Sequence, residues 1–486
     1  MPDKNSSSAK IDEAVFPLPL SAFEYYMFLD DRTGNTMTLP LSILIEGKID
    51  HVAIEKAYFE ACELHPLFCA TISKRDRCWH KVDNPEGIIW LDANTDNAFS
   101  WDEQHIDITQ SAGLRFAIAD RGDSCVFNFL FHHCIADGVG YFQFIVSLFS
   151  CYLNNIGQNI AVKKYDAVNL KNRSKFKLAP PPQRVSFFSA LKFLVVETFR
   201  WFVRRPLAPI STPDQITRLA AKEQSREKRD FDIAGERVEF DLRRWGNSGF
   251  IFARLSRDLT SRIIGLAKSC KFTVGDILLS GLFISLANSK CLSYSDSKGN
   301  IKEIQGDEFL RIGLVNNMRG LDAAEIPACN MISYSFPTRR FADCRNDADF
   351  YKKISDELRY IKDYNVGKTF IDGLLFFMRI PFFVDKFICS SRCLASVILS
   401  SMNRTELLFP QEFPRDEFGR VCIGGLKLVE FCSAAPYRRG TPLSITTNTY
   451  AGQLGFFIQY NTEKISPKDT ANWLTEWLNE ITKDHS

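Results

Sequence analysis

Apolar and polar positions alternate along the first half of the chain in patterns that predict both strands and helices. Residues 39–46 are apolar and rich in branched side chains, which predicts a buried strand. Residues 50–64 place apolar side chains at helical spacing, and Asp50 stands where a capping residue is needed. Two apolar runs, residues 113–120 and 124–131, flank an Arg-Gly-Asp sequence and predict a hairpin.

The second half shows the same alternation. Residues 273–289 are apolar almost throughout, which predicts a buried helix, whereas residues 466–482 predict an amphipathic helix. Strands are predicted at residues 309–315, 443–449 and 453–460. Helices that alternate with strands are typical of layered α/β domains, and a length of 486 residues permits two of them.

The predicted organisation has four parts. Residues 1–14 are polar and are predicted to be disordered. Two α/β domains are predicted, over residues 15–205 and 236–486. Residues 206–235 contain prolines followed by a highly charged run, so they are predicted to be an inter-domain linker.

Composition excludes some classes of function. Lys and Arg total 60 against 58 Asp and Glu, and a net charge of +2 gives no electrostatic basis for binding nucleic acid. The 14 cysteines are scattered through apolar runs, which predicts reduced thiols and a cytoplasmic protein. Cys389 and Cys393 have no second Cys or His pair at a suitable spacing, so no metal site is predicted.

Two apolar segments approach the length of a membrane span without reaching it. Residues 185–205 are aromatic and end in basic side chains. Two interpretations of this segment stay open, namely peripheral contact with a membrane surface and packing within the protein. Residues 371–390 carry Arg379, Asp385 and Lys386 among their apolar side chains, and packing over a domain face or an acyl pocket is favoured.

One short motif carries the clearest chemical signal. Residues 132–138 read His-His-Cys-Ile-Ala-Asp-Gly, and they directly follow the apolar run 126–131. This order predicts two histidines at the end of a buried strand. The ordinary pKa of histidine is close to neutral, so either ring can serve as a general base. Gly138 permits a tight turn and a close approach of another part of the chain.

The motif and its flanks, residues 114–152, resemble the chloramphenicol acetyltransferase-like superfamily of CoA-dependent acyltransferases. Its members include condensation domains of non-ribosomal peptide synthetases, alcohol acyltransferases and wax ester synthases. The resemblance implies two layered α/β domains with an active-site tunnel between them. Weaker similarities follow in the family's order at residues 273–276, 316–319 and 328–330. The Ser-Asn-x-Gly element of alcohol acetyltransferases is degenerate at residues 401–404, which leaves the subfamily unassigned.

The same resemblance implies a role for each residue of the motif. His133 is expected to be the general base, and His132 is expected to pack or donate a hydrogen bond behind it. Asp137 is expected to pair with Arg319 across the fold and to fix the turn that orients His133. Gly138 is expected to keep the approach of the acyl thioester open.

The expected reaction is transfer of an acyl group from acyl-CoA to an alcohol hydroxyl, without a covalent acyl-enzyme. An oxyanion donor is required, and either Asn403 or a backbone amide is expected to supply it. Two alternatives stay open: an amide-forming condensation enzyme that uses a donor bound to a carrier protein, and a non-catalytic lipid-binding protein on the same scaffold.

The expected partners are a small-molecule acyl acceptor and an acyl thioester donor. Acyl-CoA, or an acyl-carrier protein, is the expected cosubstrate, and no permanently bound cofactor is expected. The protein is expected to be a monomer in the cytoplasm, with residues 185–205 as its candidate contact with a membrane.

Overall fold

The computed structural model describes residues 15–483 apart from residues 33, 84, 94–104, 177, 179–202 and 212–224. The predicted disordered stretch 1–14 lies outside the described residues, as does most of the apolar segment 185–205.

The described helices alternate with strands, as the sequence pattern predicts. The helices are α1 (Ala22–Asp30), α2 (His51–Leu64), α3 (Gly138–Asn155), α4 (Arg257–Ser269), α5 (Val274–Asn288), α6 (Ala348–Asp363), α7 (Gly367–Phe377), α8 (Phe383–Ile388) and α9 (Pro467–Ile481). The strands of the first half are β1 (Leu18–Pro19), β2 (Thr38–Glu46), β3 (Ala70–Ser73), β4 (Cys78–Lys81), β5 (Ile89–Leu91), β6 (Leu114–Asp120) and β7 (Ser124–His132).

The remaining strands follow in chain order. They are β8 (Ala208–Ile210), β9 (Ser225–Ile233), β10 (Glu236–Trp245), β11 (Ser248–Arg254), β12 (Ser293–Ser295), β13 (Ile301–Lys302), β14 (Phe309–Asn317), β15 (Ile332–Ser335), β16 (Thr338–Arg340), β17 (Val397–Arg404), β18 (Cys422–Ile423), β19 (Leu426–Ser433), β20 (Leu443–Tyr450) and β21 (Gln453–Asn461).

The first lobe is built on a sheet with the strand order β18-β19-β2-β7-β6-β5. β2 and β7 pair antiparallel, from Thr38 opposite His132 to Glu46 opposite Ser124. Alternate side chains of β7 form an aromatic row that reaches α3, since Phe127 stacks on Phe149 and Phe131 stacks on Tyr141. This row fixes the end of β7 beside the beginning of α3, where the histidine motif lies.

The second lobe is built on a larger sheet with the order β15-β14-β17-β20-β21-β11-β10-β9, and β16 also pairs with β14. Helices α4, α5, α6 and α9 share one hydrophobic core with this sheet. β14, β17 and β20 run parallel to one another. Their carboxyl ends, at Asn317, Arg404 and Tyr450, therefore meet at one edge of the sheet, where ligand sites of α/β folds commonly lie.

The two lobes do not follow the predicted domain boundary. β18 and β19 belong to the second half of the chain, yet β19 pairs with β2 and completes the sheet of the first lobe. Residues 236–486 therefore do not form one self-contained domain. The physical reason is the exposed edge of β2, whose backbone groups need a partner that the first half does not supply.

The predicted linker, residues 206–235, is also partly wrong. Ala208–Ile210 is a strand that pairs with β12, and Ser225–Ile233 forms the edge strand β9. The charged run of β9 resembled a linker because this strand lies at the edge of the sheet with its side chains largely exposed. Cross-strand ion pairs stabilise its register, including one of 2.7 Å between Lys228 and Glu239.

Several local predictions are confirmed. The predicted hairpin is formed by β6 and β7. The predicted helix at residues 50–64 is α2, and the Ala53 amide donates a hydrogen bond of 2.9 Å to the Asp50 carboxylate that caps it. All 14 cysteines are free thiols, and most of them are buried.

The apolar segment 371–390 forms most of α7 and the whole of α8. Ile371 and Leu374 are buried against the core of the first lobe, and the Tyr25 hydroxyl donates a hydrogen bond of 2.9 Å to Asp385 of α8. The segment therefore covers α1. Among the described residues, no single helix is long and apolar enough to cross a bilayer; α4 and α5 pass such a test only as a pair bent by 98°.

A buried ion pair anchors α1. The Arg173 guanidinium donates two hydrogen bonds of 2.6 Å to the two carboxylate oxygens of Glu24, which is fully buried. The Trp79 indole and the Ser21 amide donate to the same carboxylate, at 3.2 and 2.8 Å. The charge of Glu24 is thus compensated from three parts of the chain.

We predict that Glu24→Ala lowers the free energy of unfolding by about 3–5 kcal/mol, because it leaves the buried Arg173 charge without a partner. Equilibrium denaturation with urea measures the change. The matched control is Asp356→Ala, which removes the exposed ion pair with Lys352 and should unfold at the same urea concentration as the wild type. Equal stability of the Glu24 variant and the wild type would contradict the assignment.

Candidate active site

His133 follows the last residue of β7 and is held in place from three directions. Its amide donates a hydrogen bond of 2.7 Å to the Met37 carbonyl, and the Asn330 side chain donates one of 2.6 Å to its own carbonyl. Its ring nitrogen Nδ1 lies 3.1 Å from the Ala136 carbonyl oxygen. A carbonyl only accepts, so Nδ1 carries the proton and Nε2 is the basic nitrogen.

The His133 ring is buried, with 7% of the residue exposed, and it lines a cavity between the two lobes. Burial lowers the pKa of His133 below its ordinary value of 6.5, because a low-dielectric environment disfavours the charged ring; the Ala136 carbonyl and the Asp137 charge oppose this effect only in part. The ring is therefore neutral at pH 7 and able to accept a proton.

Asp137 connects the motif to the second lobe. Its carboxylate caps α3 by accepting a hydrogen bond of 3.0 Å from the Gly140 amide. The same carboxylate accepts hydrogen bonds from the Arg319 guanidinium at 2.8 Å and from the Met331 amide at 2.7 Å. The expected ion pair between Asp137 and Arg319 is thus present, and Arg319 also donates to the Cys329 carbonyl.

His132 lies behind His133 and is fully buried. Its Nδ1 accepts a hydrogen bond of 3.2 Å from the Cys134 amide, and its Nε2 lies 3.6 Å from the carboxylate of Asp31. His105 approaches the same carboxylate to 2.5 Å. Although burial alone would raise the pKa of Asp31, the contacts with His105 and His132 outweigh it and hold that pKa well below its ordinary range.

Sequence reasoning did not identify Asp31, His105 or Asn330 as parts of this site. Asp31 accepts a hydrogen bond of 2.8 Å from the Met37 amide, and the carbonyl of Met37 holds His133. These contacts join residues that are far apart in the chain. No local pattern identifies Asp31 or His105, whereas Asn330 lies in residues 328–330, whose weak similarity to the superfamily could have pointed to it.

Gly138 lines the cavity beside a side chain of the second lobe, and its expected role toward the thioester stays a prediction. A methyl group built at Gly138 would lie 2.5 Å from the sulfur of Met402 and 2.8 Å from its terminal carbon. The space beside Gly138 is therefore filled by a side chain of the second lobe and is not open. The glycine is needed because Met402 approaches so closely, whereas its backbone is an ordinary part of α3.

Asn403 lies at the rim of the cavity, on an irregular part of β17. The backbone of Asn403 has a φ of +51°, and its side chain is exposed. The residue lines the same cavity as His133, on the opposite lobe. The structure thus brings Asn403, His133 and Asp137 together around one space.

The cavity has a volume of about 440 Å³, which is within the range of small-molecule sites. Part of its wall is apolar and is formed by Leu39, Leu41, Phe142, Leu408 and Phe431. Another part is polar and is formed by Ser400, Ser401, Ser433, Thr446 and Asn448. Among the described residues, no group of three or more His, Cys, Asp or Glu side chains is arranged to hold a metal ion.

No protein-family model and no curated protein sequence matches the chain. Solved structures do match it over nearly its whole length. The condensation domain of the monacolin K polyketide synthase MokA has a TM-score of 0.63 at 13% identity, with 96% of each chain covered. The first condensation domain of the calcium-dependent antibiotic synthetase has a TM-score of 0.63 at 11% identity, over 96% of this chain and 95% of that one.

An acetyltransferase is among these structures. The trichothecene 15-O-acetyltransferase TRI3 from Fusarium sporotrichioides has a TM-score of 0.62 at 12% identity, over 96% of this chain and 94% of that one. The predicted fold class is therefore confirmed: the chain has the two-lobed α/β fold that condensation domains and this acetyltransferase share. At such low identity, the likeness concerns the fold alone.

We predict that Arg319→Met destabilises the protein by about 3–5 kcal/mol, because Asp137 then stays buried without a counter-charge. Denaturation midpoints measure the loss. Arg340→Met is the matched control, since the pair that Arg340 forms with Asp307 is exposed and should contribute little. An Arg319→Met protein as stable as the wild type would show that the ion pair does not hold the lobes together.

Proposed function

We propose that the chain is an acyltransferase that transfers an acyl group from acyl-CoA to an alcohol, with His133 as the general base. One observation carries the proposal: the His133 ring lines the inter-lobe cavity, and the Ala136 carbonyl at Nδ1 leaves Nε2 as the basic nitrogen. The fold supports the same class of reaction, because an O-acetyltransferase and condensation domains share it.

In the proposed reaction, the hydroxyl proton of the acceptor moves to Nε2 of His133 while the acceptor oxygen attacks the carbonyl carbon of the thioester. The carbon–sulfur bond of the resulting tetrahedral intermediate then breaks. The thiolate leaves and takes up the proton from the imidazolium, which restores neutral His133. No covalent acyl-enzyme is formed. Asn403, or a backbone amide, is the proposed donor to the oxyanion.

The charges in the cavity wall favour a neutral acceptor. The charged residues among its described lining are Asp30, Asp137, Arg404 and Arg438. Each of them has a partner of opposite charge: Asp30 and Arg438 pair with each other at 3.0 Å, Asp137 pairs with Arg319, and Arg404 pairs with Glu406. Because no carboxylate is left to attract a protonated amine, an alcohol is the favoured acceptor class.

The apolar part of the wall favours an acyl group as the transferred unit. Leu39, Leu41, Phe142 and Phe431 are each at most 6% exposed, so an acyl chain that contacts them would bury apolar surface. We propose that the acyl acceptor and the thioester donor are the small-molecule partners of a monomeric enzyme. No permanently bound cofactor takes part in this scheme.

A second candidate function is amide formation with a donor bound to a carrier protein. Its support is that condensation domains match this fold as closely as the acetyltransferase does. The reacting base would again be His133, but the attacking atom would be an amine nitrogen. The nature of the acceptor, and the form in which the acyl donor arrives, distinguish the two candidates.

We expect His133→Ala to lower acyl transfer by about a hundredfold to ten-thousandfold, because it removes the general base. Thiol release from acyl-CoA measures the rate, with a panel of alcohols and amines as acceptors. Equal denaturation midpoints of the variant and the wild type would show that the fold is retained. His80→Ala is the matched control, since His80 is exposed and forms its contact with Asp76, away from the cavity.

The possible results separate the candidates. Transfer to alcohols alone supports the leading proposal, and transfer to amines from a carrier-bound donor supports the second. Transfer by His133→Ala at the wild-type rate would refute the base. If the protein binds lipid but shows no acyl transfer and no thioester hydrolysis with any donor, it is a non-catalytic lipid-binding protein.

The pKa of His133 predicts the pH dependence. The base must be neutral to accept a proton, and burial shifts its pKa below 6.5. We therefore expect kcat/KM to rise with pH through an apparent pKa below 6.5 and to be constant around neutral pH. Initial rates with a non-titrating alcohol acceptor measure the profile. If kcat/KM instead rises through an apparent pKa above 7, the base is a group other than His133.

A further inference from the structure

β17 contains one extra residue where it faces the cavity. Ser401 pairs with Thr447 of β20, and the pairing resumes at Arg404 with Thr449. Three steps along β17 thus match two steps along β20, which defines a bulge at Met402 and Asn403. The positive φ of Asn403 is part of this irregular backbone. A bulge redirects side chains, and here Met402 lines the cavity.

Gly138 receives the redirected side chain. The three heavy atoms nearest to a methyl group built at Gly138 all belong to Met402, at 2.5, 2.8 and 3.9 Å. Gly138 and the bulge of β17 are on different lobes. The missing side chain of Gly138 leaves a space, and Met402 of the bulge fills it.

Met402 therefore forms part of the cavity wall beside Gly138. Gly138 directly follows Asp137, and both residues line the cavity together with His133. The Met402 side chain is half-buried and packs against the core of the first lobe. The thioether is unbranched and changes rotamer at low cost, so it can close a cavity without sealing it permanently.

The surroundings of Met402 indicate which substrate it would meet. Leu407 and Leu408, which follow Met402 in the chain, and Phe142, one helical turn after Gly138, are apolar residues of the cavity lining. The polar positions Thr446 and Asn448 belong to β20. An acyl chain would contact the apolar residues of this lining, whereas the hydroxyl-bearing acceptor would contact the polar ones.

We propose that Met402 is the residue that limits the length of the acyl group, by filling the space beside Gly138. The proposal rests on the acyltransferase function proposed above. It assigns the specificity of the site to a contact between the lobes.

The first test compares Met402→Ala with the wild type on saturated acyl-CoA thioesters from acetyl to dodecanoyl, with one alcohol acceptor. The variant should prefer longer chains, with at least about a tenfold change in the ratio of kcat/KM between long and short donors, since single methylenes discriminate by about that factor in apolar pockets. Met402→Phe should shift the preference to shorter chains. An unchanged chain-length profile in both variants would overturn the proposal.

The matched control is Met378→Ala. Met378 is also half-buried and packs against the same core, but it lies at the end of α7 and does not line the cavity. Its replacement should leave the chain-length profile unchanged. A shift as large as that of Met402→Ala would mean that any loss of packing in this lobe changes specificity.

A second test uses the complementarity of the two residues. Gly138→Ala should displace Met402 into the cavity and shift the preference to shorter chains. In the double variant with Met402→Ala, the added methyl group meets no atom of Met402, so the long-chain preference should return. Such rescue is a coupling between two sites that unrelated structural effects do not produce. If the effects of the two substitutions on chain-length preference simply add in the double variant, the proposed contact between the two residues is refuted.

Binding measurements keep the two proposals separate. Titration calorimetry of each acyl-CoA with the His133→Ala protein, with and without Met402→Ala, reports chain-length preference without turnover. If the wild type shows no transfer but Met402→Ala alters the binding preference, the proposed function fails while the assignment of Met402 stands. If transfer occurs and neither binding nor turnover changes with Met402, only the assignment of Met402 fails.

Discussion

The buried ion pair between Asp137 and Arg319 is the interaction on which the arrangement of the site depends. One carboxylate caps α3 at Gly140, pairs with a guanidinium of the other lobe and accepts the Met331 amide. It therefore fixes the start of a helix, the turn after His133 and the position of the lobes in a single set of contacts. A buried charge is stable only when it is compensated in this way, so these three features depend on one another.

The two lobes are joined by more than this pair. β19 leaves the second half of the chain and completes the first sheet beside β2. Asp30 at the end of α1 is bound by Arg438, which follows β19, and both residues line the cavity. The wall of the cavity is thus built from interlocking segments of both halves. The proposed role of His133 as a base requires such a frame, because proton transfer needs donor and acceptor to be held at hydrogen-bond distance.

The proposed chemistry of the cavity depends on which polar groups of its wall are charged and which are neutral. The charged side chains of its described lining are compensated, and burial favours the neutral form of His133. The proposed base is therefore an uncharged imidazole in a cavity lined by both apolar and polar residues. Met402 fills the space beside Gly138 from the opposite lobe, so the interface that holds His133 also forms part of the cavity wall.

The sequence by itself determined the local features of this protein. Caps, helical periodicity and the hairpin that leads to the motif depend on neighbouring residues, and the motif indicated both His133 and the pairing of Asp137 with Arg319 through a family resemblance. Tertiary structure alone decided that β9 is a strand and that β19 crosses to the first lobe. It also decided that Met402 fills the space beside Gly138. Strand pairing and side-chain packing join residues hundreds of positions apart, and no local pattern of polar and apolar residues encodes which distant segments will meet.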